Sequence, residues 1–235
     1  MNSSYYGEFA FVAGGGGAVV PMPESVVPER AAWRQGYQAG ERLTMEVSPG
    51  VEMAFRWCPA GSFMMGSPAS EKEVLRKAGT KENIYSDETP HEVKLTQGFW
   101  LAETEVTQGQ WQAVMKTSLV AQANKALADD EEYEIAGKKQ RLRDFHKMKP
   151  GDGAKIIGVE TDRVAMYWVS WHEAEDYCSR VSRVVAGKGW GLVTRLPSEA
   201  QWEYACRAGT SAMSYAGDFQ IKGENNAPGL SLIHI

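Results

Sequence analysis

The sequence predicts a mixed α and β domain of short elements joined by long loops. Three observations point there. Along "VEMAFRWCP", Val51, Met53, Phe55 and Trp57 alternate with Glu52, Ala54 and Arg56, the pattern of a strand with one buried face. "HEVKLTQGFWLAETEVT" alternates again, with Val93 and Leu95 and then Phe99 and Leu101. Three Ser or Thr residues each stand three positions ahead of Gln or Glu at the head of an apolar-periodic run, the signature of a capped helix start.

Composition bounds what such a domain can do. The chain has 235 residues, enough for one large domain or two small ones. With 43% hydrophobic and 23% charged residues it should fold rather than stay disordered. A net charge of −5 gives no general attraction to nucleic acid or to an anionic membrane. Eight tryptophans suit aromatic packing across irregular loops, or a surface that grips a peptide or sugar. No stretch approaches the roughly 20 apolar residues of a membrane span. The N-terminus lacks a basic stretch and its apolar run is cut by glycines, so it reads poorly as a signal peptide and the expected location is cytoplasmic.

Residues 1–43 read as a flexible leader, with Gly14–Gly17 and with Pro21, Pro23 and Pro28 discouraging regular structure. The glycines make no phosphate loop, because no Lys-Ser/Thr follows. The ordered domain is expected to begin at 44. After the strand at 51–57, "PAGSFMMGSP" marks a hairpin-like passage, and the polar stretch 69–90 contains a short helix at 70–78. Two short strands follow on either side of Gly98.

The first capped helix starts at Thr107, with Gln110 completing the box; the second at Ser170, with Glu173; the third at Ser198, with Gln201. The second has the clearest stripe, Trp171, Ala174, Cys178, Val181 and Val185, over a run 170–185 about 24 Å long. Gly187 and Gly189 supply its stop. The third buries Trp202, with Ala205 or Cys206 one turn on, and ends near Gly209. Between the first two lies a charge-rich segment at about 116–163. There "EEYEIAGKKQRLRDF" suggests a helix interrupted at Gly137, and "AKIIGV" and "VAMYWV" suggest strands. It reads either as an insertion packed on the surface or as a substrate-recognition lid.

Reactive side chains are sparse. Cys58, Cys178 and Cys206 are odd in number and form no CxxC, so they signal neither a disulfide framework nor a zinc site and read as buried thiols. His91, His146, His172 and His234 are scattered and form no HxxxH pair, which argues against a shared metal site. No residue of the chain is assigned a catalytic, cofactor-binding or metal-binding role.

Four pieces nevertheless stand in order: "GSFMMGSP", "DETPHEVKLTQGFWLAETEVTQGQWQAVM", "VSWHEAEDYCSRVS" and "RLPSEAQWEYACRAGT". Together they resemble the formylglycine-generating enzyme, or sulfatase-modifying factor, family over about residues 50–230. The resemblance implies a loop-rich α+β domain related to the C-type lectin fold. It implies the oxidation of a sulfatase cysteine to formylglycine with molecular oxygen, and a sulfatase-type protein or peptide as partner. It also implies calcium and a copper(I) site held by two cysteines in the C-terminal half of the domain; soft thiolates suit Cu(I). Cys58, Cys178 and Cys206 all fall on motifs that precede that half, and "GNVWEW"-like and "GGSW"-like segments are not in this sequence. The chain therefore reads as the N-terminal part of such a protein, a partial domain over 44–230 that is inactive by itself. "SLIHI" at its end makes 231–235 a non-native tail, and Trp57, Phe63, Phe99, Trp100 and Trp111 are expected to lack partners. The alternative is a non-catalytic lectin-like scaffold that binds a protein or glycan. In either case "RLPSEAQWEYACRAGT" is architectural. Pro197 stiffens the entry, Ser198 caps, Trp202 and Tyr204 pin the helix, and Arg195 and Arg207 hold carboxylates or loop carbonyls.

Overall fold

The computed structural model describes residues 12–15, 35–77, 88–135, 137–156 and 161–211. In chain order its strands are β1 (Val12–Gly15), β2 (Arg42–Ser48), β3 (Val51–Cys58), β4 (Gly61–Met65), β5 (His91–Leu95), β6 (Phe99–Ala102), β7 (Tyr133–Ile135), β8 (Lys138–Gln140) and β9 (Leu192–Arg195). Its helices are α1 (Ala69–Lys77), α2 (Gln108–Met115), α3 (Leu119–Ala128), α4 (Leu142–Phe145), α5 (Gly153–Ile156), α6 (Trp171–Ala186) and α7 (Glu199–Arg207). They fall into two units, one of residues 1–58 and 99–196, the other of 59–98 and 197–235.

The first unit is built on an antiparallel sheet of order β2-β3-β6-β1-β9. Alternation sends Leu43, Met45, Met53, Phe55, Trp57, Trp100 and Leu192 to one buried face. Trp57 and Trp100, opposite one another on β3 and β6, have ring centroids 5.1 Å apart. α2 and α6 pack with this core through Trp111 and Tyr177, both fully buried, with rings stacked at 5.6 Å and 3°. Thr194 of β9 donates its hydroxyl to the Cys178 carbonyl of α6 at 2.6 Å, which fixes the far edge of the sheet to the helix.

All three capping boxes form. Thr107 with Gln110, Ser170 with Glu173 and Ser198 with Gln201 each exchange both cap hydrogen bonds. Along α6 the buried residues are Ala174, Tyr177, Cys178, Val181 and Val185. Trp171 was placed on the stripe but is 50% exposed. It is the first residue of the helix, and the buried arc passes through Tyr177 instead.

Other expectations need correction. Val12–Gly15, inside the segment read as a flexible leader, is a strand between β6 and β9; its lack of bulk at Gly14 and Gly15 suits a place among paired strands. "PAGSFMMGSP" is not a hairpin with the preceding strand, because β4 pairs with β5. "EEYEIAGKKQRLRDF" is not a broken helix. Tyr133 and Ile135 alternate in β7, Gly137 takes φ +76° in the turn, β8 pairs back, and α4 follows. Gly153–Ile156, which takes in the start of "AKIIGV", is a helical turn, the rest of that stretch lies outside the described residues, and "VAMYWV" contributes an isolated bridge from Ala165 to Thr107 rather than a strand. The segment 116–163 is not merely packed on the surface: Leu119, Ala123, Ala126 and Leu127 of α3 and Leu142 of α4 belong to the core. Trp57, Phe99, Trp100 and Trp111 are buried, contrary to the expectation that they lack partners.

In the second unit, residues 59–77, 88–98 and 197–211 are described. β4 and β5 form a two-stranded antiparallel sheet, and α7 packs on β4 with Tyr204 edge-on to Phe63 at 5.3 Å. Gly66 takes φ +96°, and a Cβ there would lie 2.9 Å from the Thr89 carbonyl, so no larger residue fits. The Gly66 amide donates to Glu203 (2.9 Å), and Arg207 donates to both Glu203 and the Gly66 carbonyl. Arg207 thus holds a carboxylate and a loop carbonyl, while Arg195 of the first unit, among the described residues, donates to the Leu196 carbonyl (3.1 Å). Trp202 is half-buried and outside the main core, which corrects its expected role as an anchor. The segment 231–235 lies outside the described residues. Among the described residues no helix is long and apolar enough to cross a membrane.

These positions rank three substitutions. Trp111→Ala should lower the unfolding free energy by about 3–5 kcal/mol, and Ser170→Ala by about 1 kcal/mol through loss of the cap. Trp202→Ala should cost less than Trp111→Ala. Urea melts of the three variants measure the order; Trp202→Ala proving the most severe would reverse the assignment of the core.

Candidate functional site

Ser170 opens α6 with its hydroxyl accepting from the Glu173 amide, and Glu173 folds back to accept from the Ser170 amide at 2.9 Å. That box uses one carboxylate oxygen. The other, Oε1, faces α3 and accepts from Gln122 Nε2 at 2.9 Å and Lys125 Nζ at 2.5 Å. α3 presents these donors because Ser118 caps it and because Leu119, Ala123, Ala126 and Leu127 turn its opposite side to the core. Beyond α3, the Tyr133 phenol of β7 donates to Asp129 at 2.8 Å.

Together these groups line a cleft of about 420 Å³, bounded by Gln122, Lys125, Asp129, Glu131, Tyr133, Ser170, His172 and Glu173. Beside it, Trp171 stands edge-on to His172 at 5.2 Å. Burial alone would raise the Glu173 carboxyl, but hydrogen bonds from Lys125, Ser170 and Gln122 outweigh it and hold the group below its ordinary value of 4.5. Glu173 is therefore an anionic acceptor at neutral pH, not a proton donor. A second hollow of about 500 Å³, along α2, is more open. Gly109 lines it, and a Cβ there would lie 2.9 Å from Asp162 Cβ, which makes that contact a seam between backbones.

The sequence assigned no site residue, and of its cysteines and histidines only His172, among the described residues, borders the cleft. Cys58 is on β3, Cys178 on α6 and Cys206 on α7. Burial pushes the Cys58 thiol up to about 11 and the Cys178 thiol up to about 12, and it raises Cys206 as well. All three stay protonated at neutral pH, whereas a metal ligand or nucleophile must be a thiolate. They do not fit a two-cysteine copper(I) site. His91 accompanies the Thr89 carbonyl, and His146 packs against Trp168 with centroids 4.9 Å apart. His172 borders the cleft, and His234 lies outside the described residues. Among the described residues no group of three or more His, Cys, Asp and Glu side chains could hold a metal ion. The cleft carboxylates are taken up by Lys125, Ser170 and Tyr133 and do not fit calcium either.

Residues 44–231 match the model of the sulfatase-modifying factor enzyme 1-like domain. No curated protein matches the chain. Among solved structures, PvdO from Pseudomonas aeruginosa is similar, with 22% identity and a TM-score of 0.46. That alignment covers 81% of this chain and 58% of the PvdO chain, so this chain spans little more than half the length of that structure.

The depressed Glu173 pKa makes stability depend on acid with a defined sign. The contribution is complete above the unfolded carboxyl value of 4.5 and is lost as pH falls through the lower folded value. Urea midpoints measured across acid pH should fall more steeply in the parent than in Glu173→Gln, which has no charge to lose at that position. Equal slopes would remove Glu173 from the acid response.

Proposed function

This chain belongs to the sulfatase-modifying factor enzyme 1-like family, and from that premise we propose that its described residues are the binding scaffold of a formylglycine-generating-type protein. The cleft between α3, β7 and the head of α6 receives an extended segment of a protein substrate. The family reaction, oxidation of a sulfatase cysteine by molecular oxygen, is not carried out by these residues. The observation that carries this reading is the contrast between the two sets of groups. The cleft offers fixed hydrogen-bonding partners around an anionic Glu173, while the three thiols are buried and protonated. Copper(I) and calcium belong to the family's chemistry, and the described residues offer neither the thiolates nor the free carboxylates that would hold them.

A second reading is a lectin-like scaffold that binds glycan without chemistry. Trp171 favours it, because a half-exposed indole beside a polar cleft offers a face on which a sugar ring stacks.

Incubating the protein with a sulfatase-derived cysteine peptide, copper(I) and oxygen, followed by mass spectrometry, should leave the peptide mass unchanged. Conversion of the cysteine to formylglycine would overturn the reading. In a fluorescence-anisotropy titration of the same peptide, Tyr133→Ala should weaken binding severalfold. A glycan that competes, with Trp171→Ala abolishing its binding, would favour the second reading.

A further inference from the structure

The buried face of the five-stranded sheet is accounted for by α2 and α6. On the opposite face Phe99 of β6 is buried, and the row beside it carries a pattern that neither the cleft nor the core uses. Strand register sets Arg42 of β2 opposite Arg56 of β3, Arg56 opposite Leu101 of β6, Leu101 opposite Val12 of β1, and Val12 opposite Arg195 of β9. Directly opposed residues share a face, so one row across the whole sheet holds three arginines, with the half-buried Leu101 between Arg56 and Arg195.

Glu103 takes both Arg42, at 2.9 Å, and Arg56, at 2.8 Å, so one carboxylate answers two guanidinium groups. Arg195 has no carboxylate partner among the described residues; it donates to the adjacent Leu196 carbonyl. Its surroundings nevertheless desolvate the guanidinium enough to lower its pKa. A partly desolvated cation that meets no counter-charge among the described residues is a standing cost that an anionic partner would relieve. Val193, next along on the same face of β9, is 47% exposed. The acidic residues of this face, Glu46 and Glu52, oppose one another near the β2–β3 turn, and Glu46 is held by Lys188.

We propose that this outer face is a docking surface for an extended acidic peptide segment of a partner protein, laid across the strands with its carboxylates on Arg195 and on the Arg42–Arg56 pair. Strand spacing decides the peptide. β3 and β9 are three strands apart, about 14 Å at roughly 4.8 Å per strand. A single small anion cannot span that gap. Two carboxylates four residues apart on an extended chain can, at roughly 3.4 Å per residue, and the residue midway between them then faces the apolar middle at Leu101.

The probe is a fluorescein-labelled synthetic peptide, Ser-Asp-Gly-Leu-Ser-Asp-Ser, titrated with the full chain. Its control has Asn at both Asp positions. The Asp peptide should bind, with affinity falling as salt rises, and the Asn peptide should bind at least about tenfold more weakly. Arg195→Gln should weaken the Asp peptide by a similar factor. Arg42→Gln, at an exposed position, should weaken it as well, whereas His172→Ala in the cleft should leave it unchanged. The proposal is overturned if the Asp peptide does not bind, or binds Arg195→Gln and Arg42→Gln as tightly as the parent. It is also overturned if His172→Ala abolishes binding, or if a single-stranded oligonucleotide of equal charge binds as tightly.

Discussion

Trp111 and Tyr177 are stacked nearly parallel and fully buried, and much of the first unit follows from accommodating them. Two flat rings in contact set how closely α2 and α6 approach. The indole also carries an N–H, and a buried donor needs a partner. It finds the Thr117 hydroxyl at 2.9 Å. Thr117 reaches that point because α2 ends at Lys116 in a left-handed conformation, φ 63°, which turns the chain back over the ring. Ser118 then caps α3 at once. One aromatic side chain thus dictates where one helix stops and the next begins.

The cleft is a consequence of that sequence of constraints. With α3 started at Ser118, Gln122 and Lys125 fall on the side that faces the head of α6, and Glu173 is the group that meets them. Glu173 serves two structures at once. One oxygen closes the cap of α6 and the other ties α3 down. The side chain of Glu173 is only 16% exposed, so its charge is worth more there than on an open surface, and the hydrogen bonds offset the cost of burying it.

What the sequence reveals follows how local each feature is. A capping box spans four residues, so Thr107, Ser170 and Ser198 were readable as helix starts. Alternation at 51–57 and around Gly98 was readable for the same reason. α3 was not, because its buried side mixes Leu119 and Leu127 with Ala123, Ala126 and the polar Gln122, a weak stripe beside the charge run that follows. Trp171 and Tyr177 could not be ranked, since both sit at permitted helical spacings and only the neighbours of each decide which is covered. The cleft was invisible, because it joins Gln122 and Lys125 to a Glu173 whose local pattern announced only a cap. The arginine row was invisible too, because Arg42, Arg56 and Arg195 become neighbours on one face only through strand order.

That row also limits what net charge can say. A formal charge of −5 describes the chain as a whole and argues against general attraction to polyanions. It does not describe one face of one sheet. There, among the described residues, three guanidinium groups share a row with Glu103 as the carboxylate in contact, while Glu46 and Glu52 sit at the far end of the face by the β2–β3 turn and other acids lie in the run from Asp129 to Glu134. At physiological salt a charge is felt over about 8 Å, so a bound group responds to the residues of that row more than to the total. The two sides of the sheet are therefore separated in chemistry as well as in space. The inner side fixes the fold, and the outer side, although it buries Phe99, keeps Arg42, Arg56 and Arg195 exposed.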